Sequence, residues 1–159
     1  MAATGVLGAK LYVGPTALAD IEGAADAIGD FTALSSPTEI GLIESIGEFG
    51  KVFDLVPFQG VATGRMYKFK GGYNQGQLTV TVAADLTDAG QAVMKTYADA
   101  QDQNTYPFKL TINGADASFD TVYFGGKVMS FRFVMGAVNT IVKATIQIEI
   151  NTDVFIGAD

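Results

Sequence analysis

The chain has no cysteine and no histidine. The first absence excludes disulfides, a thiolate nucleophile and cysteine–zinc sites. The second removes the commonest general base and the commonest metal ligand. Proline is scarce, at four residues against nineteen glycines, a balance that suits a β-rich protein with many turns and bulges. Charge is sparse as well: 17% of residues are charged and the net charge is −7. An acidic domain does not grip phosphate backbones. Met1-Ala2-Ala3-Thr4 brings neither a basic start nor an apolar core, so no secretory signal is expected. Long apolar runs are also missing. Val134 to Ile150 comes closest to a membrane span, but Asn139, Lys143 and Glu149 interrupt it. The expectation is a protein made and kept in a cytoplasm, or released by a route other than secretion.

What is present points to one folded domain. A chain of 159 residues can bury a real core without staples. A 48% hydrophobic content argues against disorder. It also leaves more apolar surface than a small monomer needs, which hints at burial between subunits.

The centre of the sequence is Gln77 to Asn113, which reads as strand, helix, strand. Leu78, Val80 and Val82 alternate with Gln77, Thr79 and Thr81, the period-2 pattern of a half-buried strand. Thr87-Asp88 opens a helix expected to reach about Gln103. Leu86, Gly90, Val93 and Tyr97 would form its apolar stripe. Asp85 or Thr87 can cap its free amides, and Asp88 sits where the helix dipole is positive. Tyr106, Phe108, Leu110 and Ile112 alternate again before an Asn113-Gly114 turn. A single helix with one apolar stripe must lie against a sheet.

Before this unit, Leu7 to Gly14 reads as a first strand with Leu11 and Val13 on one face. Pro15 to Pro37 is rich in Ala, Gly, Asp and Ser and carries Asp20, Glu22, Asp26 and Asp30. It is either a functional arm or a segment with a short helix near Ala17–Ala27. Its acids do not have calcium-loop spacing. Thr38 to Phe58 reads as two strands about Gly47–Gly50. Glu44, Glu48 and Asp54 share parity with apolar neighbours there, which a bulge or a subunit contact would explain. Gln59 to Gln77 is a projecting hairpin. Its basic cluster, Arg65, Lys68 and Lys70, interleaves with Tyr67, Phe69 and Tyr73. That pairing can serve single-stranded nucleic acid. Three charges in an acidic chain fit a solvated or acid-docking face better.

After the central unit, Val122, Phe124 and Val128 share one parity, and Met129, Phe131 and Phe133 the other. Gly125-Gly126 at the switch predicts a bulge. Val142, Ala144, Ile146, Ile148 and Ile150 then alternate with polar residues, the sharpest amphipathic strand in the chain. Thr152 to Asp159 is a tail whose Val154, Phe155 and Ile156 stay exposed unless another surface takes them.

No phosphate loop, GxGxxG or GxSxG motif is present, and HExxH is impossible without histidine. Paired carboxylates could support glycoside chemistry. Asp99, Asp102, Asp116 and Asp120 sit at a helix end or a turn and read as solubilising acids. Neither an enzyme nor a cofactor is expected.

The order of elements resembles the major tail tube proteins of long-tailed, siphovirus-type bacteriophages. The carrying segments are Gln77 to Val82, Asp88 to Tyr97, Tyr106 to Ile112, Gly125 to Val128 and Thr145 to Ile150, roughly the second half of the chain. The resemblance implies a mainly β fold: a two-sheet sandwich or barrel with one flanking helix, in a single domain covering 1–159. It implies hexameric rings that stack into a tube, with strands of each subunit joining an inner barrel. DNA would pass through the lumen, which the tape-measure protein occupies beforehand. Terminator and tail-tip proteins would be further partners, with location in the virion tail and assembly in the host cytoplasm. Lumen-facing acids would come from Glu39, Glu44, Glu48, Asp54 and Glu149. Such a bore would let DNA slide without sticking. Ring-to-ring contacts would come from the 15–37 arm, the 59–77 hairpin and the 152–159 tail, with Asp26 and Asp30 meeting Arg65, Lys68 and Lys70, and with Phe155. Two rivals are a carbohydrate-binding β-sandwich module using Tyr67, Tyr73 and Tyr123, and a β-rich hydrolase using carboxylates.

Overall fold

A computed structural model describes residues 6–18, 36–112 and 121–157. Asp26, Asp30, most of the 15–37 arm, the Asn113-Gly114 turn, Asp116 and Asp120 lie outside the described residues.

The chain order is β1 (Lys10–Val13), β2 (Thr38–Ile40), β3 (Ile43–Ile46), β4 (Val52–Gln59), β5 (Met66–Asn74), β6 (Gln77–Ala83), α1 (Ala89–Asp99), β7 (Tyr106–Thr111), β8 (Thr121–Val134), β9 (Lys143–Ile150) and β10 (Phe155–Gly157). The main sheet runs β2-β1-β7-β8-β9-β6-β3, with β10 on β8, and β4-β5 forms a separate two-stranded sheet. Every pairing is antiparallel.

The 14-residue β8 belongs to both layers of the fold. Its first half pairs with β7, which continues to β1 and β2. Its second half pairs with β9, which continues to β6 and β3. Inward residues of both layers, Leu11, Phe108 and Phe124 from one and Leu78, Ile146 and Ile148 from the other, meet in one core. Phe108 stacks on Phe124 with centroids 5.2 Å apart. Only Gly41-Leu42 separates β2 from β3, so the two ends of the strand path return to one corner. They do not pair there, and the sheet is not a closed barrel.

The helix holds that corner. Asp88 is its N-cap and accepts from Gln91 N; the same carboxylate accepts from Gly41 N across the corner. Neither Asp85 nor Thr87 is the cap. Asp85 instead turns on Thr87, accepting from its amide at 3.0 Å and from its hydroxyl. Those two bonds hold the Asp85 carboxyl below its ordinary pKa. The helix stops at Asp99, earlier than Gln103. Its dry face is Gly90, Gln91 and Met94, with Val93 and Tyr97 half-buried; Leu86 precedes the helix and is exposed. Gly90 lets the helix approach β2 closely, since a Cβ there would strike the Glu39 carbonyl oxygen and lie 2.6 Å from Ile40 Cα.

Three expectations on strands need correction. Thr38 to Phe58 holds three strands, and no hairpin forms about Gly47–Gly50, because β3 pairs with β6 and β4 with β5. Gly125-Gly126 is no bulge: both glycines sit in regular register with Pro107 and Tyr106. A Cβ on Gly126 would lie 2.6 Å from Ile148 Cγ2, so close packing explains that glycine. The register shift lies further on, between Val128 and Ser130. That shift lets Val128 and Phe131, of opposite parity, both point inward.

Candidate assembly surfaces

The layer β8-β9-β6-β3 has a dry face and a wet face. On β9, Ala144, Ile146, Ile148 and Ile150 are buried, so Lys143, Thr145, Gln147 and Glu149 face away from the core. Cross-strand partners extend this outer face. Gln77 and Lys127 flank Glu149, Thr79 and Ser130 flank Gln147, and Thr81 and Arg132 flank Thr145. Glu44 of β3 joins it, 2.9 Å from Lys143 Nζ. The face is therefore hydroxyl, amide and mixed charge, with the two acids Glu44 and Glu149 beside the bases Lys127, Arg132 and Lys143.

The same layer has two open edges among the described residues. No described strand pairs with the outer side of β3. Likewise β7 covers β8 only from residue 121 to 126, which leaves 127–134 without a strand on that side. Four successive antiparallel strands make β3 run opposite to β8. Copies placed side by side in one sense would bring these edges together antiparallel, continuing the sheet. Such edges are aggregation-prone unless something covers or pairs them.

The β4-β5 hairpin is exposed along its whole length, apart from a half-buried Gly71. Val56 pairs with Phe69 and Phe58 with Tyr67, which lines one face with apolar and aromatic side chains. Phe53 and Tyr73 meet at its base, 5.6 Å between centroids, with Lys51 Nζ 4.3 Å from the Tyr73 ring. The other face carries Lys68 and Lys70 opposite Pro57 and Leu55. A lone two-stranded ribbon is marginal in water. From 51 to 75 the sequence has Lys51, Arg65, Lys68 and Lys70 against Asp54, a net +3, so the rest of the chain carries −10 of the total −7.

No protein family model and no curated protein matches the chain. Solved structures do match. The chain has the fold of tube and tube-terminator proteins. It superposes on the sheath/tube terminator of the PVC extracellular contractile injection system with a TM-score of 0.66 at 12% identity, covering 98% of this chain and 97% of that one. Against the SPP1 tail tube the score is 0.62 at 14% identity, covering 98% and 80%. Against the tube-terminating cap of the anti-feeding prophage it is 0.64 at 13%, covering 99% and 92%. The expected mainly β fold is thus observed, with one helix among the described residues.

The sequence-derived candidates separate in space. Glu44 and Glu149 share the polar face. Glu39 lies in β2, at the far end of the strand path, 4.0 Å from Lys10. Asp54 is in β4, and Glu48 lies in the β3-β4 link beside a cavity. Arg65, Lys68 and Lys70 all sit on the hairpin, which runs from Val52 to Asn74, while Gln77 begins β6. The tail is not loose: Phe155 to Gly157 pairs with Tyr123 to Thr121, and Phe155 is half-buried. Tyr67 and Tyr73 are exposed, but Tyr123 is buried, so the three tyrosines form no common sugar platform. Reading the sequence missed Gln91, fully buried, whose amide bonds Gly41 O and Ala83 O. A polar residue within the helix's apolar stripe was the available signal.

Proposed function

We propose that this chain is a tube subunit: copies join side by side into rings, and the rings stack into a hollow tail tube. The observation that carries the reading is the four-stranded layer with a polar outer face and two complementary open edges. Pairing β3 of one copy with the second half of β8 in the next continues the sheet and turns its wet face into the wall of a bore. Each copy adds four strands, and closure removes both edges at once. Six copies per ring, a tape-measure protein in the lumen, terminator and tip proteins at the ends, and DNA in transit complete the reading for a long-tailed phage. The tail of the virion is then its place, after assembly in the host cytoplasm. Glu44 and Glu149 are the lumen acids of this arrangement, and Glu39, Glu48 and Asp54 lie elsewhere. The bore offers many hydroxyl and amide groups and few excess cations, so a passing polyanion finds little to hold it.

The hairpin suits contacts between rings. Its exposed aromatic face needs a cover, and the net +3 of the hairpin together with Lys51 at its base is attracted to the acidic remainder of another copy. Arg65, Lys68 and Lys70 are its charged contacts.

Electron microscopy of the purified chain over a concentration series tests the reading. Hollow tubes or rings are expected. A monodisperse monomer at every concentration would overturn it.

A further inference from the structure

The sandwich is open at one end. A cavity of about 680 Å³ lies there, floored by Val122 and walled by Phe49, Val154, Phe155 and Ile156. Three polar groups at its rim partner one another: Asp153 accepts from Gln75 Nε2 at 2.7 Å and lies 3.6 Å from Lys51 Nζ, while the exposed Glu48 also borders the space. What faces the space is mainly apolar, and no described residue fills it. Water in this open space meets mostly apolar walls, so replacing it with apolar side chains is favourable.

The opposite end of β8 carries an apolar projection. Residues 134–142, Val-Met-Gly-Ala-Val-Asn-Thr-Ile-Val, contain no charge. Met135, Val138 and Ile141 are strongly exposed at the β8-β9 turn, with Val138 99% exposed. The turn is ordered despite that exposure. Thr140 bonds the Ala137 carbonyl through both its amide and its hydroxyl, and Gly136 takes a positive φ of 70°. An ordered projection loses little freedom on docking. Val122 and Val134 are twelve residues apart on one strand, up to roughly 40 Å. Socket and projection therefore lie at opposite ends of the same strand and cannot meet within one copy.

We infer that the β8-β9 turn of one copy enters the cavity between β10 and the 48–51 segment of a second copy. The contact is head-to-tail: each copy offers a projection at one end and a socket at the other. Heterologous contacts of this kind propagate without closing on themselves, as stacking requires. The match is apolar on both sides: an uncharged turn enters a mainly apolar socket in which Asp153 already has Gln75 and Lys51 as partners, and the turn brings no charge of its own to be stripped of water. The inference rests on the tube reading and identifies one contact between its rings.

The absence of native cysteine makes a direct test clean. The double variant Val138→Cys with Ile156→Cys is assembled and then oxidised. The expected result is a ladder of covalent dimers, trimers and longer chains on a non-reducing gel, collapsing to monomer on reduction. Val138→Cys alone should give no species beyond dimer. A second variant, Val138→Glu, should raise the critical concentration for assembly by at least about tenfold, through burial of a charge in an apolar socket. Tubes that form without a ladder would overturn the socket contact and leave the tube reading standing. A ladder from Val61→Cys with Ile156→Cys instead would assign the cavity to the hairpin tip and overturn the turn as its occupant. No assembly of the unaltered chain would overturn both.

Discussion

Gln91→Leu should weaken the fold far more than its small change in shape suggests. Gln91 is fully buried, and its side chain joins three segments. Nε2 donates to Gly41 O at 3.0 Å and to Ala83 O at 2.9 Å, while Oε1 accepts from Asp85 N at 2.9 Å. Leucine matches glutamine in helix propensity, so the helix itself is unaffected. Leucine leaves those two carbonyls and one amide without the partner they had. Orphaned groups cost about 1–3 kcal/mol each, or about 6 kcal/mol for three at the middle of that range. Burying leucine returns about 2 kcal/mol. The net loss is about 4 kcal/mol, a large share of the 5–15 kcal/mol that holds a typical domain. For a chain of this length that lowers Tm by about 8–16 °C. Thermal unfolding followed by circular dichroism checks it, at a concentration below assembly, because assembly adds stability by mass action. The variant should also assemble less well, since Gly41 sits in the corner that places the β3 edge. A Tm drop under about 3 °C would refute the view that this amide holds the corner.

Gly90→Ala gains about 1 kcal/mol of helix propensity but puts a methyl against the Glu39 and Ile40 backbone. Backbone cannot give way as a side-chain tip can, so overpacking at about 1–3 kcal/mol wins; a Tm higher than that of the unaltered chain would contradict this. Tyr97 stacks on Tyr106 at 3.7 Å and donates to Gly14 O at 3.1 Å. Burial, with a smaller contribution from charge on Tyr106, raises its pKa above the ordinary tyrosine value. The folded state thus favours the neutral phenol. That stability is fully present below about pH 10 and is lost as pH rises through the folded pKa. Urea unfolding from pH 8 to 11 should show a steeper fall for the unaltered chain than for Tyr97→Phe, and parallel curves would contradict the assignment.

Legibility in the sequence followed how each element is buried. β6 and β9 each have one dry face and one wet face, so Leu78, Val80 and Val82, and likewise Ile146 and Ile148, declared themselves by alternation. Phe108 and Leu110 did the same on β7. The β4-β5 hairpin gave no such signal, because in a single copy neither face is buried. Phe53, Leu55, Val56 and Phe58 crowd both sides of β4 and are all exposed. The β2-β3 corner was invisible for another reason: Leu42 adopts φ 60°, where glycine or asparagine would have been the recognisable residue. The bulge was misplaced because glycine is a signal both for irregular strands and for close packing. At Gly125 and Gly126 the second cause operates. The polar face was half legible. The Thr and Gln alternation of β6 and β9 was plain, but its extension to Lys127, Ser130 and Arg132 depends on register across distant strands. Glu39, Glu48 and Asp54 were grouped with Glu44 and Glu149 by charge alone, and charge carries no information about which layer holds a residue.

Amide hydrogen exchange, compared between monomer and assembled protein, is the most direct measurement of the central claim. Pairing between copies predicts new protection at two places together: the outward-facing amides of Ile43 and Ile46 on β3, and those amides between Lys127 and Val134 on β8 that do not already bond β9. Slowing should exceed about a hundredfold where edge amides gain a partner strand, because such amides then open only when subunits separate. Assembled material in which both edges exchange as fast as in the monomer would contradict the claim that the sheet continues from one copy into the next.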